Sequence, residues 1–382
     1  MATAKDWGTP GADRLRELFD RVESFTIGAE EELLLVDPET FDLRPAGGEL
    51  LSRLADPTTY REELSAAQLE IVTPVCRSAG EVARSLAEGR RRAIEAAAGD
   101  VRLAAAGAHP FAEPWAEVAT GERFQRILHE HRWGARTGAL AAGIHIHLGV
   151  PGADRALAVF DALRAYMPDL SVLAAAAPYF AGRDTGFASI RPKLSDALPH
   201  QGVAPAAVSW EFHAAMIDRG RRAGAHRDPA ELWWECRLHL RLGTIEVRAP
   251  DAQASLADVE AVAAVAHCLV AWLAGRHDQG EPLPVHQPGM IEENRWRAAR
   301  DGVDAELIDL ERGEPVAARD RLAGLLDDLS AVAPQLGDDH GLAGARRLLS
   351  LPGSARQREV ASRVGLHGLV EWLADRTERL DG

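Results

Sequence analysis

Four short stretches of this chain place acids, imidazoles or an arginine at alternate positions of an otherwise apolar run. They are Glu30 and Glu32 in FTIGAEEELLLV, Glu70 in QLEIVTP, His145 and His147 in GIHIHLGV, and Glu246 and Arg248 in GTIEVRA. A strand turns successive side chains to opposite faces, so each stretch sends its polar residues one way and its Ile, Leu and Val the other. An acid in such a run needs a cation, a hydrogen-bond network or a site, because burying an unpaired carboxylate is costly. A sheet that is merely wet on one side mixes Lys, Thr, Ser and Gln there, whereas these positions are dominated by carboxylates, imidazoles and an arginine. Their recurrence on four strands points to a site.

Carboxylate oxygens without nearby thiols suit hard cations, magnesium or manganese, and magnesium held this way usually also meets nucleotide phosphates. Histidines two apart on a strand are also a zinc pattern, and a zinc- or manganese-dependent hydrolase would use the same acids and histidines. Arg248 beside Glu246 favours phosphoryl transfer, which needs a cation over the equatorial oxygens. A non-catalytic nucleotide-binding protein is the third reading. No P-loop and no GxGxxG occurs, so an ATP site has to be built on the sheet itself. Glu31 points away from its neighbours, with Phe25, Ile27, Leu33 and Leu35, and predicts a salt bridge or hydrogen bonds on the far side of the sheet.

The elements that position these residues follow from pattern and punctuation. Residues 13–22 carry Leu15, Leu18, Phe19 and Val22 at helical spacing, and the turn at Asp37-Pro38-Glu39-Thr40 predicts that the first strand returns as a hairpin. Helices are predicted over 78–98, 154–166, 170–177 and 259–274, the last behind a Ser255 to Asp258 capping box, and a buried strand over 101–108. Residues 182–191 read as a polar loop ending in Arg191. Residues 275–289, rich in Gly, Pro, His and Gln, read as a linker that separates 1–280 from a helical 281–382. His109 before Pro110 reads as a turn residue, His267 as a helix-packed histidine and Trp233-Trp234 as a core pair.

At 382 residues with 46% apolar content, the chain can build one large α/β or α+β domain with a helical extension, or two domains. A net charge of -15 without a concentrated basic patch argues against nucleic acid or an anionic membrane as the main partner. Cys76, Cys236 and Cys268 are too few and too scattered for a disulfide framework or a thiolate zinc site, and suit the reducing cytoplasm. The N-terminal residues lack an apolar signal segment, and the longest apolar run is interrupted by Glu260 and His267, so neither secretion nor membrane spanning is expected.

The sequence resembles the glutamate-cysteine ligase type 2 family, the YbdK-like carboxylate-amine ligases. The resemblance rests on IGAEEELLLVDPET, QLEIVTPVC, AAGAHPFA, AGIHIHLGV, DTGFASIR, TIEVRAPDAQ and ENRWRAARDG, in family order from about Phe25 to Asp301. It implies an α+β, glutamine-synthetase-like catalytic fold, with an antiparallel saddle-shaped sheet and helices on its outer face. It also implies ATP-dependent amide-bond formation of the γ-glutamyl type through an acyl phosphate, with amino acid and amine as small-molecule substrates. By resemblance Glu30, Glu32, Glu63, Glu70, His145 and Glu246 hold the metal ions, magnesium or manganese, that bridge the ATP phosphates. Arg248 touches the transferred phosphoryl group, and Arg191 holds the substrate carboxylate. The chain departs from the family pattern at Phe187, at Ala142-Gly143 and in KLSDALPHQG, near the expected substrate pocket. Exposed edges of such a sheet are compatible with a homodimer.

Overall fold

The computed structural model describes residues 11–380. Its main sheet has seven strands, β1 (Thr26–Val36), β2 (Tyr60–Glu62), β3 (Gln68–Val72), β4 (Arg102–Ala104), β5 (Ile144–Gly149), β8 (Cys236–His239) and β9 (Thr244–Val247). The strands β6 (Tyr179–Phe180) and β7 (Arg183–Asp184) form a separate hairpin, as do β10 (Glu306–Ile308) and β11 (Pro315–Ala317). The spatial order is β2-β3-β1-β5-β9-β8, and every pairing is antiparallel.

The acidic strand β1 is the axis of this sheet. One of its edges pairs with β3; the other pairs with β5 over Thr26–Glu31 and with β4 over Leu34–Val36. Where β5 and β4 part, Glu32 N–H donates to the Gly143 carbonyl at 3.0 Å, and Gly143 N–H donates to Glu32 Oε2 at 2.5 Å.

Residues directly opposite in an antiparallel pair share a face. Glu30 lies opposite His145, Glu32 opposite Glu70, and His147 opposite Glu246, so the polar positions of four strands fall on one face. Arg61 joins opposite Glu70, and Arg237 opposite Glu246. The other face is apolar and is covered by the helices Ala79–Ala97 and Leu256–Asp278. Glu31 lies on that side, fully buried, bonded by Arg90 from helix Ala79–Ala97 through Nε to Oε2 at 2.9 Å and Nη2 to Oε1 at 2.5 Å. The register expected from alternation is therefore the one found. Helix Leu256–Asp278 is long and apolar enough to cross a membrane by composition, but most of it is buried among the helices of this core.

Several local expectations change. The return strand after the Asp37 turn shrinks to a single bridge, Val36 to Leu43, because helix Gly47–Leu54 starts soon after and takes over the packing. Of residues 101–108 only Arg102–Ala104 pair with β1; the Ala105 N–H is taken instead by Thr377 Oγ1 at 2.9 Å. Arg191 opens a short helix, Arg191–Ser195, rather than ending a loop. The stretch read as a linker narrows to Gln279–Gln287 between helices Leu256–Asp278 and Pro288–Asp301, and the latter packs on helix Met167–Ala174. His109 is a buried turn residue that accepts from Ala112 N–H at 2.9 Å, and His267 is a buried helix histidine bonded to Asp338 at 2.8 Å.

Candidate active site

Glu30, His145 and Glu246 come from three neighbouring strands, and one ligand atom from each lies within 4.8 Å of the others. His145 Nδ1 is 3.2 Å from Arg248 Nη1 and its Nε2 is 3.6 Å from Glu32 Oε1. Arginine can only donate, so Nδ1 accepts and the ring proton sits on Nε2, toward Glu32. Burial first and Arg248 second push His145 down to about 3, which leaves a neutral imidazole at neutral pH.

Glu246 is completely buried between two guanidinium groups. Arg237 grips it with Nε to Oε2 at 2.6 Å and Nη2 to Oε1 at 3.1 Å, and Arg248 Nη1 reaches Oε1 at 2.6 Å. Burial alone would raise its pKa, but Arg237 and Arg248 outweigh it and hold the carboxyl well below the usual range. Glu30 is also held low: burial opposes ionisation, the imidazoles of His145 and His147 favour it more strongly, and Arg61 Nη1 lies 2.9 Å away.

The remaining acids behave in the opposite way. Burial and then Glu63 raise Glu32 to about 7, and burial, Glu30 and Glu63 raise Glu70 well above the normal carboxylate value. Glu32 and Glu70 are buried opposite each other with the half-buried Glu63 beside them, so this group of acids is short of positive charge. His147 adds a buried Nε2 with no hydrogen-bond partner among the described residues, 3.5 Å from Glu30 Oε2. Oxygen donors, one or two imidazoles and no thiol in the cluster fit a hard divalent cation.

Two hollows meet at this cluster. A cleft of about 610 Å³ runs along the outer half of β1, past Thr26, Gly28 and Glu30, with Arg61, His147 and Leu242 on its walls. A second, tighter cavity lies on the other side of His145 and Arg248, walled by Glu32, Glu63, Arg191, Trp233 and Glu235. Arg191 reaches it with Nη1 on the Ala249 carbonyl at 3.1 Å and Nη2 on the Arg248 carbonyl at 3.0 Å. Its guanidinium packs so closely on Gly143 that a Cβ there would overlap it, which gives the glycine a steric reason.

All eight residues to which the resemblance gives a role, Glu30, Glu32, Glu63, Glu70, His145, Arg191, Glu246 and Arg248, thus gather around one face and its adjoining cavity. Trp233 and Trp234 are half-buried and pack against core clusters, Trp234 on the main core and Trp233 on the smaller one around Phe124 and Ile127, and Trp233 also lines the cavity. Phe187 stacks edge-on toward Trp296 and is not among the cavity walls, whereas Ser195, Leu198 and Gln201 of the departing KLSDALPHQG segment are. Arg61, Arg237 and Glu235 were missed. CRLHL around Arg237 carried the same alternation as the other strands, while the three-residue β2 is too short to show a period.

The antiparallel sheet with this acid, imidazole and arginine face belongs to a glutamate-cysteine ligase-like carbon-nitrogen ligase, a class that the sequence relatives show. Residues 26–376 match the model of glutamate-cysteine ligase family 2, and the chain belongs to that family. It is 38% identical over 360 residues to a Rubrobacter xylanophilus protein named "Putative glutamate--cysteine ligase 2-3", covering 92% of this chain and 97% of the relative. A Thermobifida fusca relative, named "Putative glutamate--cysteine ligase 2", is 34% identical, with 91% of this chain and 89% of the relative covered. Among solved structures, the fold resembles glutamate-cysteine ligase from Francisella tularensis in complex with AMP, at TM-score 0.68 and 15% identity over 93% of this chain and 88% of that one. It also resembles a bifunctional glutathione synthetase from Pasteurella multocida, at TM-score 0.69 and 15% identity over 96% of this chain and 53% of that one.

Proposed function

We propose that the protein joins a carboxylate to an amine at the expense of ATP, through an acyl phosphate, with glutamate and cysteine as the first substrates to try. The observation that carries this reading is the convergence of Glu30, His145 and Glu246 beside Arg248, between a cleft and a cavity. The cleft along Gly28 suits the nucleotide, and the cavity at Arg191 suits the carboxylate substrate.

Glu30, His145 and Glu246 would hold one divalent cation, and Glu32, Glu63 and Glu70 a second, each group supplying oxygen ligands. Magnesium or manganese, when bound, neutralises phosphate oxygens and makes the γ-phosphorus more electrophilic. Arg248 is aimed across Glu246 toward the same point and stabilises negative charge on the transferred group. Arg191 orients the substrate so that its carboxylate oxygen attacks the γ-phosphorus as the bond to the ADP oxygen breaks. The amine then attacks the acyl carbon and phosphate departs, and the walled cavity keeps water from competing. Three free, buried cysteines are in keeping with a cytoplasmic setting.

Glu246→Gln and Arg248→Ala test this directly. Each should lower ADP release by about 100-fold or more while circular dichroism reports an intact fold. Full activity in either variant would sink the assignment.

A further inference from the structure

Two buried side chains on the cavity wall each keep one polar atom without a hydrogen-bond partner among the described residues. Arg191 is 7% exposed, and its Nε is buried with no hydrogen-bond partner among the described residues. Glu235 is 6% exposed; its Oε1 accepts from Arg295 Nε at 2.6 Å, while its Oε2 is also buried and unpartnered. Donor and acceptor line the same cavity and do not bond to each other. Leaving either unsatisfied is costly, so each calls for a complementary group from whatever enters. A cationic N–H for Glu235 and a carboxylate for Arg191 are the two charged groups on the α-carbon of an amino acid.

Arg295, in the ENRWRAAR segment, organises this arrangement. From helix Pro288–Asp301 it reaches Glu235, Asp196 through Nη2 at 2.7 Å, and Glu292 through Nη1 at 2.7 Å. Asp196 caps the short helix that begins at Arg191. One buried guanidinium therefore ties the segment bearing Arg191 to the segment bearing Glu235. The Glu235 backbone is fixed as well, its N–H donating to Gly202 at 2.9 Å and its carbonyl accepting from Arg248 at 2.7 Å. Asp196 and Glu292 share Arg295 with Glu235, whose Oε1 alone is engaged by it.

We infer that Glu235 recognises the ammonium group of the carboxylate substrate, an α-amino acid gripped by its headgroup between Glu235 and Arg191, and that Arg295 positions both. The inference rests on the ligase reading and deepens it: a headgroup anchored there leaves the side-chain carboxylate of a dicarboxylic amino acid as the one to be phosphorylated.

The test compares L-glutamate with glutarate, which lacks only the ammonium group, by calorimetric binding without ATP and by ADP release with it. Wild type should bind glutamate about tenfold or more tighter than glutarate. Glu235→Gln should erase that preference and raise KM for glutamate by about the same factor, with a smaller change in kcat. Glu235→Asp should recover part of the preference, and Arg295→Lys should raise KM for glutamate more than for glutarate. If the Gln variant melts early, Glu235→Asp and Arg295→Lys carry the comparison. A folded Glu235→Gln protein with the wild-type preference overturns the inference, as does a wild type that binds both ligands equally. Intact preference in binding with no ADP release from wild type would overturn the ligase reading and leave the headgroup site standing.

Discussion

Arg248 combines two contacts because Glu246 lies two positions earlier on the same strand face: it donates to Glu246 Oε1 and to His145 Nδ1. A lysine at this position keeps the charge but offers a single compact donor that cannot span both partners. Arg248→Lys should therefore lower kcat for ADP release by about 100-fold while changing KM for ATP far less. A kcat within a few-fold of wild type would show that charge alone suffices. Glu30, Glu32, Glu70, His145, Glu246 and Arg248 were legible in the sequence because alternation assigns each a face before any partner is known. Glu63 was legible only through family resemblance, since nothing local marks it. Arg61 and Glu235 stayed hidden because their meaning depends on partners across the sheet or on a distant helix.

At the scale of elements, β1 works because its two faces use acids differently. Glu30 and Glu32 serve the open face, while Glu31 is locked to Arg90, whose Nη1 and Nη2 also donate to the carbonyls of Ala254, Thr377 and Gln253. One buried pair thus joins the central strand to helix Ala79–Ala97 and the C-terminal helix Gly353–Glu378. Removing one partner leaves an uncompensated buried charge, so Glu31→Leu alone should cost about 3–5 kcal/mol of unfolding free energy in urea. Combining it with Arg90→Met should restore a large share of that loss. A single variant within about 1 kcal/mol of wild type would contradict this account of the strand. The long, strictly alternating strands and the capped helices could be read from sequence. The single-bridge return after Val36 and the three-residue β2 and β4 could not, because tertiary pairing rather than local pattern defines them.

For the molecule as a whole, the segment after residue 280 is legible as helical, yet its link to the site is not. Arg295 meets Glu235 across 60 positions of sequence, a relation no periodicity encodes. The helix Trp210–Arg222 adds a pH term to overall stability through His213, which is 4% exposed and held at about 4 by burial. An unfolded histidine titrates near 6.5. As pH falls from about 6.5 to about 4, the unfolded chain takes up a proton that the folded protein refuses, so stability present above this window is lost within it, by up to about 3 kcal/mol. His213→Phe should flatten the fall in unfolding free energy over that range, and parallel curves would contradict the assignment. The central claim, ligation through an acyl phosphate, is tested most directly by an isotope measurement. Protein is incubated with ATP, a divalent cation, cysteine and glutamate labelled with oxygen-18 in its side-chain carboxylate, and the phosphate released is analysed by mass. One labelled oxygen per phosphate, with ADP and amide formed in equal amounts, is the result expected; label appearing in AMP, or unlabelled phosphate accompanying amide formation, would contradict it.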